Sequence, residues 1–227
     1  MDIGVITPAR IHIGRSGARM TTKELLKFRQ DHAIAMDAVW SHADEELVKS
    51  LGFKVVNTLI NDKEEYIRRP DLGRRFSEET LEDIKSTCIH QPAVQIIAAD
   101  GLSSPAIDAN LKDIYGILTD GFKHRGITVG TPIFVRYGRV ATMDYISEAV
   151  GAEVTILLVG ERPGLATGES MSAYMAYQSS ASKPESQRTV VSNIHSGGLY
   201  PVEAGAQIIH IAEIMLKEKK SGVDLKI

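Results

Sequence analysis

Cysteine is almost missing from this 227-residue chain: Cys88 is the only one. A single thiol excludes an internal disulfide framework and is compatible with a reducing compartment. Long apolar runs are missing too, none approaching the ~20 residues of a membrane span. The opening MDIGVITPAR lacks the charged and apolar regions of a signal peptide. Neither sign of charge dominates: the formal net charge of -3 gives no electrostatic reason to expect nucleic acid or an anionic membrane as partner. There is no repeat, low-complexity tract or flexible linker. What is present, 43% hydrophobic and 24% charged residues, is ordinary for a folded domain, so a cytoplasmic globular protein is expected.

The first 88 residues read as a helical region. Thr21 and Glu24 have capping-box spacing ahead of an apolar stripe from Leu25 to Trp40. A second helix is expected after Ser41 with Gly52 as its stop, and a third from Ser77 to Cys88. Between them the charge-dense stretch 62–75 reads as a solvated connection. From residue 89 to 227 the pattern alternates. AVQIIAADG, PIFVRYGRV and EVTILLVG read as buried strands, with SMSAYMAY and RTVVSNI as weaker ones. Helices are expected after Ser104, with Pro105 at its first position, over Thr142 to Val150, and from Pro201 to a stop at Gly222. Strand, helix, strand at this spacing predicts right-handed crossovers. The expected fold is therefore α/β: a Rossmann-like, mostly parallel sheet flanked by helices, preceded by the helical N-terminal region. Ligands of such sheets bind outside the carboxyl ends of the strands. Those ends fall at Asp100-Gly101, Tyr137-Gly138-Arg139, Gly160 to Gly164, and Asn193 to Gly198. Their glycines suggest backbone passing close to something bulky.

Familiar chemistries find no residues here. The seven histidines (His12, His32, His42, His90, His124, His195 and His210) show no ligand spacing on one helix, so no metal site is expected. There is no phosphate-binding glycine loop, and none of Ser103, Ser192 and Ser196 sits in a nucleophile elbow. Cys88, at a helix end, reads as a buried structural thiol. Glu161 follows directly on the strand VTILLVG, at the sheet's carboxyl edge. Either it forms a loop-stabilising ion pair beside Arg162, or it accepts hydrogen bonds from amide donors of a ligand.

Taken together, TPARIHIGRSGAR, LLKFRQDHAIAMDAVW, IAADGLSSPAIDAN, VRYGRVATMDYISE, ILLVGERPGL, SNIHSGG and PVEAGAQIIHIAEIMLKEKKSG resemble the small (light) subunit of ethanolamine ammonia-lyase, in order from about Pro8 to Gly222. The resemblance implies a subunit of an adenosylcobalamin-dependent carbon–nitrogen lyase that converts ethanolamine to acetaldehyde and ammonia by radical chemistry. It places substrate in the large subunit and the cofactor between the two chains. It also implies a hetero-oligomer of large and small chains, in a bacterial microcompartment, with no catalytic residue and no metal ligand on this chain.

Three cobalamin contacts carry over: Val140 after Gly-Arg in VRYGRVA, Glu161 of GERPG, and Val190 two residues before SNIH. Relatives often have cysteine at the last position, so a backbone contact survives there and a thiol contact does not. Relatives also often carry a longer N-terminal extension. The helical region 1–88 is the expected docking element for the large subunit. Asn193 to Gly198 comes within one residue of D-x-H-x-x-G, the motif of proteins that put a histidine on cobalt. Asparagine in place of the aspartate fixes and activates the imidazole much less, so His195 is expected to orient its loop. The rival readings are a free-standing α/β enzyme using Glu161 and His195 as acid and base, and a structural subunit that touches no cofactor.

Overall fold

Local capping explains where most helices begin. The computed structural model describes residue 11 and residues 13–226; the start of the TPARIHIGRSGAR string and His12 lie outside them. A two-residue hairpin, β1 (Arg15–Ser16) and β2 (Arg19–Met20), leads into α1 (Thr22–Trp40), where the Thr21 hydroxyl accepts from the Glu24 amide. Asp44 caps α2 (Glu45–Ser50), Asp62 caps α3 (Lys63–Arg68) and Ser77 caps α4 (Glu78–Thr87), each side chain accepting from amides of the first turn. The other elements are β3 (Lys54–Asn57), β4 (Val94–Ala99), α5 (Ser104–His124), β5 (Ile133–Arg136), α6 (Thr142–Val150), β6 (Val154–Gly160), β7 (Met171–Tyr177), β8 (Thr189–Ile194) and α7 (Pro201–Glu218).

The main sheet has the order β3-β5-β4-β6-β7-β8. Its first four strands are parallel; β7 is antiparallel to β6 and to β8. Alternate residues of β4 divide between two cores. Val94, Ile96 and Ala98 pack with α5 and α7 on one face. Ile97 and Ala99 pack with Ile84 of α4 and with α6 on the other. Both faces are covered, which is why β4 and β6 are buried along their whole length and read as continuous apolar runs. The mostly parallel α/β sheet flanked by helices is as expected.

The N-terminal segment departs from the reading in two places. Lys54–Asn57, inside the region read as helical, is a strand and joins the sheet edge in parallel with β5. The charged stretch 62–75 is not a solvated loop: it holds α3, with Lys63 and Tyr66 buried. Two boundaries also move. Ser103, not Ser104, precedes α5, and the Ser104 hydroxyl donates to the Ser41 carbonyl at 2.8 Å. α7 stops at Glu218, with Lys219 in the left-handed region, short of Gly222. α1 buries only Ala38 and leaves Leu26, Ile34, Met36 and Trp40 about half exposed or more.

The helix after β4 covers one face and the helix after β5 the other. The chain therefore parts in opposite directions at the carboxyl ends of these two neighbours, which opens a crevice there.

Candidate functional site

A cavity of about 480 Å³ lies along that edge. Its walls come from five strands, β4 to β8, with the segments that follow them, and from α3: Tyr66, Gly101, Gly138, Arg139, Val140, Glu161, Arg162, Ser172, Tyr174, Val190 and Ser192 are among its lining residues. Val140, Glu161 and Val190, far apart in sequence, thus meet at one surface. Sheet register explains it. Gly160 pairs with Met171, and Met171 with Ile194, which sets Glu161 beside the end of β8, while Val190 lies farther along the same face, opposite Tyr174. Val190 is 44% exposed, so the cavity opens outward on that side. Val140 leans on the core beneath α6.

The far wall is stitched to α3. The Tyr66 hydroxyl donates to the Gly138 carbonyl at 3.0 Å, and the Arg139 amide donates to Gly73 O at 2.9 Å. The Arg139 guanidinium stacks on the Tyr66 ring at 4.0 Å and donates to the Tyr66 carbonyl at 2.8 Å. Just behind lies a buried ion pair, Lys63 with Asp100 at 3.7 Å, too long for a hydrogen bond. Asp100 also accepts from the Gly138 amide at 3.3 Å. Burial pushes the Asp100 carboxyl up, against the pull of Lys63, and burial pushes the Lys63 ammonium down, against that of Asp100. Asp100 faces a second, smaller hollow of about 260 Å³ beside His42 and Tyr137.

Glu161 is held from three sides. Oε1 accepts from the Ser172 hydroxyl at 2.5 Å and the Asn193 amide at 3.0 Å, and Oε2 accepts from the Ser170 hydroxyl at 2.9 Å. Burial alone would raise its pKa, but these bonds, led by the Asn193 amide, outweigh it and hold the carboxylate below its usual range. A carboxylate offers about four acceptor positions, so roughly one stays open toward the cavity. Among the described residues no ion pair with Arg162 forms, and the hydroxyls take that role. His195 is engaged at both nitrogens. Gly197 N–H donates to Nδ1 at 3.1 Å, which leaves Nε2–H to donate to Asn193 Oδ1 at 2.9 Å. Asn193 itself has φ 62°, a left-handed conformation that asparagine tolerates, and its loop closes around the imidazole. Glu161 and His195 are thus each already engaged by neighbouring groups.

At three strand-end glycines the protein itself comes close. A side chain on Gly160 would strike the carbonyls of Ser103 and Asp100, one on Gly101 the carbonyl of Gly160, and one on Gly138 the Cβ of Ala99. The protein's own backbone and side-chain atoms thus pass close to these glycines. Among the described residues there is no group of three or more His, Cys, Asp or Glu able to hold a metal ion. Among the described residues no helix is long and apolar enough to cross a membrane.

The family model for the ethanolamine ammonia-lyase light chain matches residues 2–226. The chain belongs to that family. A protein of Clostridium acetobutylicum named ethanolamine ammonia-lyase small subunit is 64% identical over 226 residues, covering 100% of this chain and 93% of the relative. Small subunits of Clostridium perfringens and Listeria innocua are 54% and 51% identical, covering 100% and 97% of this chain but 77% and 75% of the longer relatives. The chain is thus the small-subunit member of a lyase, as its resemblance implied.

The structure adds lining residues that the sequence reading missed: Tyr66, Ser172, Tyr174 and Ser192. Ser172 and Ser192 had a signal available, the alternation of β7 and β8 that sends every second side chain to one face. Tyr66 had none, because α3 is too short to show a period.

Proposed function

We propose that this chain is the cofactor-covering small subunit of an adenosylcobalamin-dependent ethanolamine ammonia-lyase, which converts ethanolamine to acetaldehyde and ammonia. The observation that carries the reading is the convergence of Val140, Glu161 and Val190 on one outward-opening cavity at the sheet's carboxyl edge.

The residues suit a corrin, a broad disc with an apolar edge and a rim of amide side chains. Val140, Val190 and Tyr174 supply apolar surface. The open acceptor position of Glu161 and the hydroxyl of Ser192 supply hydrogen bonds for the amides. When bound, the cofactor supplies the radical chemistry. Glu161, braced by Ser170, Ser172 and Asn193, orients the corrin rim without having to reorganise, while the apolar wall keeps water from the covered side. The substrate is handled by the large subunit.

The large subunit docks on the N-terminal region. Met36, Trp40 and Ile67 stand exposed on a groove that also includes Arg162, a residue shared with the cavity. A partner closing over the cavity therefore meets apolar surface beside it.

Ethanolamine deamination tests this with adenosylcobalamin and this chain alone, the large subunit alone, and the two together. Activity only in the mixture, weakened in cofactor affinity by Glu161→Ala, supports the reading. Full activity and full cofactor affinity from the large subunit alone would leave only an oligomer-organising role. Activity from this chain alone would mean a free-standing enzyme.

A further inference from the structure

The cavity carries an excess of positive charge that the chain as a whole does not. The chain carries a formal net charge of -3, yet the cavity is lined by two guanidiniums, Arg139 and Arg162, against one carboxylate. That carboxylate, Glu161, already accepts three hydrogen bonds from neutral donors. Among the described residues neither arginine is paired with any carboxylate; Arg15, Arg19, Arg29, Arg74 and Arg75 are unpaired too, but of all these only Arg139 and Arg162 line the cavity.

Arg139 is held in place but poorly used. Its ring stacking and its one bond to Tyr66 O fix the plane of the guanidinium, while Nε is buried with no partner at all. One of five donors is engaged, so the plane is pre-set and the remaining donor capacity is unmet. Lys63 lies close enough behind to feel its positive charge, and the only carboxylate beside Lys63 is Asp100. Arg162 is exposed at the mouth, where the cavity meets the apolar groove of α1.

Two unpaired guanidiniums, one of them rigidly oriented, are what a bound anion with several acceptor oxygens requires. We propose that Arg139 and Arg162 form a subsite for the phosphodiester of the cofactor's nucleotide loop, the anionic group that sets a complete cobalamin apart from the bare corrin amides. This rests on the cavity's being the corrinoid site. It assigns a division of labour within that site: Glu161 and the valines meet the corrin rim, and the arginines meet the nucleotide-bearing side.

The test is equilibrium binding to the assembled complex of both subunits, followed by absorbance of the corrin. The two ligands are cobalamin and cobinamide, the same corrin without the phosphodiester-linked nucleotide. Arg162→Met removes an exposed charge that no fold contact uses. Arg139→Lys keeps a cation but loses the planar fork, with a urea titration to show that the protein remains folded. Each substitution is expected to weaken cobalamin binding by about tenfold and to leave cobinamide binding unchanged. The salt dependence of cobalamin binding should flatten in the double variant.

Glu161→Ala separates the two ideas, since it should weaken both ligands. If it does so while the arginine variants weaken both equally, or neither, the phosphodiester subsite is wrong and the corrin site stands. If Glu161→Ala and both arginine variants leave both affinities untouched, the corrin site and the subsite fall together.

Discussion

Replacing Glu161 with alanine would remove the acceptor that ties three strand ends together. Its three donors are the hydroxyls of Ser172 and Ser170 and the amide of Asn193. A hydrogen bond to a charged acceptor contributes about 1.5–3 kcal/mol, but an orphaned donor that water can reach loses much less. Asn193 is exposed and Ser170 half-buried, so they rehydrate; Ser172 is 3% exposed and cannot. The expected loss is therefore about 2–4 kcal/mol, dominated by Ser172. Glutamine should cost far less, about 1 kcal/mol. Its amide oxygen can keep Ser172 and Asn193, and its NH2 can donate to a Ser170 hydroxyl that turns round. Urea denaturation of the three proteins across pH would measure both. The carboxylate's pKa is depressed in the fold, so its contribution is fully present above the unfolded glutamate value, about 4.3, and is lost as pH falls through the lower folded value. The native protein and Glu161→Gln should therefore converge in acid and separate above it. Equal losses for Ala and Gln at neutral pH, or no convergence in acid, would refute the bracing role.

Three further outcomes are expected. Lys63→Met should cost about 3–5 kcal/mol in urea titrations by stranding the buried Asp100 carboxylate, and adding Asp100→Asn should recover more than half of that loss. Gly160→Ala should destabilise by about 3 kcal/mol, because backbone carbonyls on the β4–α5 connection would have to move; a measured loss below about 1 kcal/mol would show that they can. Trp40→Asp, 48% exposed, should leave the chain's own thermal midpoint nearly unchanged but weaken assembly with the large subunit by at least about tenfold in sedimentation or titration experiments.

Much of this was legible before any coordinates. β4 and β6 announce themselves because helices on both faces force continuous apolar runs, and α5 and α7 because four or more turns give the period room to show. β3 was not legible: Lys54–Asn57 is four residues long with Val56 alone buried, and what makes it a strand is its distant pairing with β5. α3 was hidden for a related reason. In six residues dense with charge, nothing marks Lys63 and Tyr66 as the two that turn inward. For Glu161, sequence indicated the sheet edge but not the company it keeps, since Ser172 and Asn193 reach it through strand register, which is set non-locally.

β8 is the outermost strand on its side, and an outer strand is an invitation to stack. Here the invitation is spoiled. Its pairing with β7 slips between Met171 and Ala173, Asn193 turns left-handed near its end, and Gly222 of the C-terminal segment docks its amide on the Thr189 hydroxyl at the start. A template for cross-strand growth needs a straight, uninterrupted edge, and this one is broken at both ends. That matters for a chain that leaves Val190, Trp40 and Met36 uncovered. Such a surface can stand with sticky side chains on show because the β8 edge beside it offers no straight rail along which copies could polymerise.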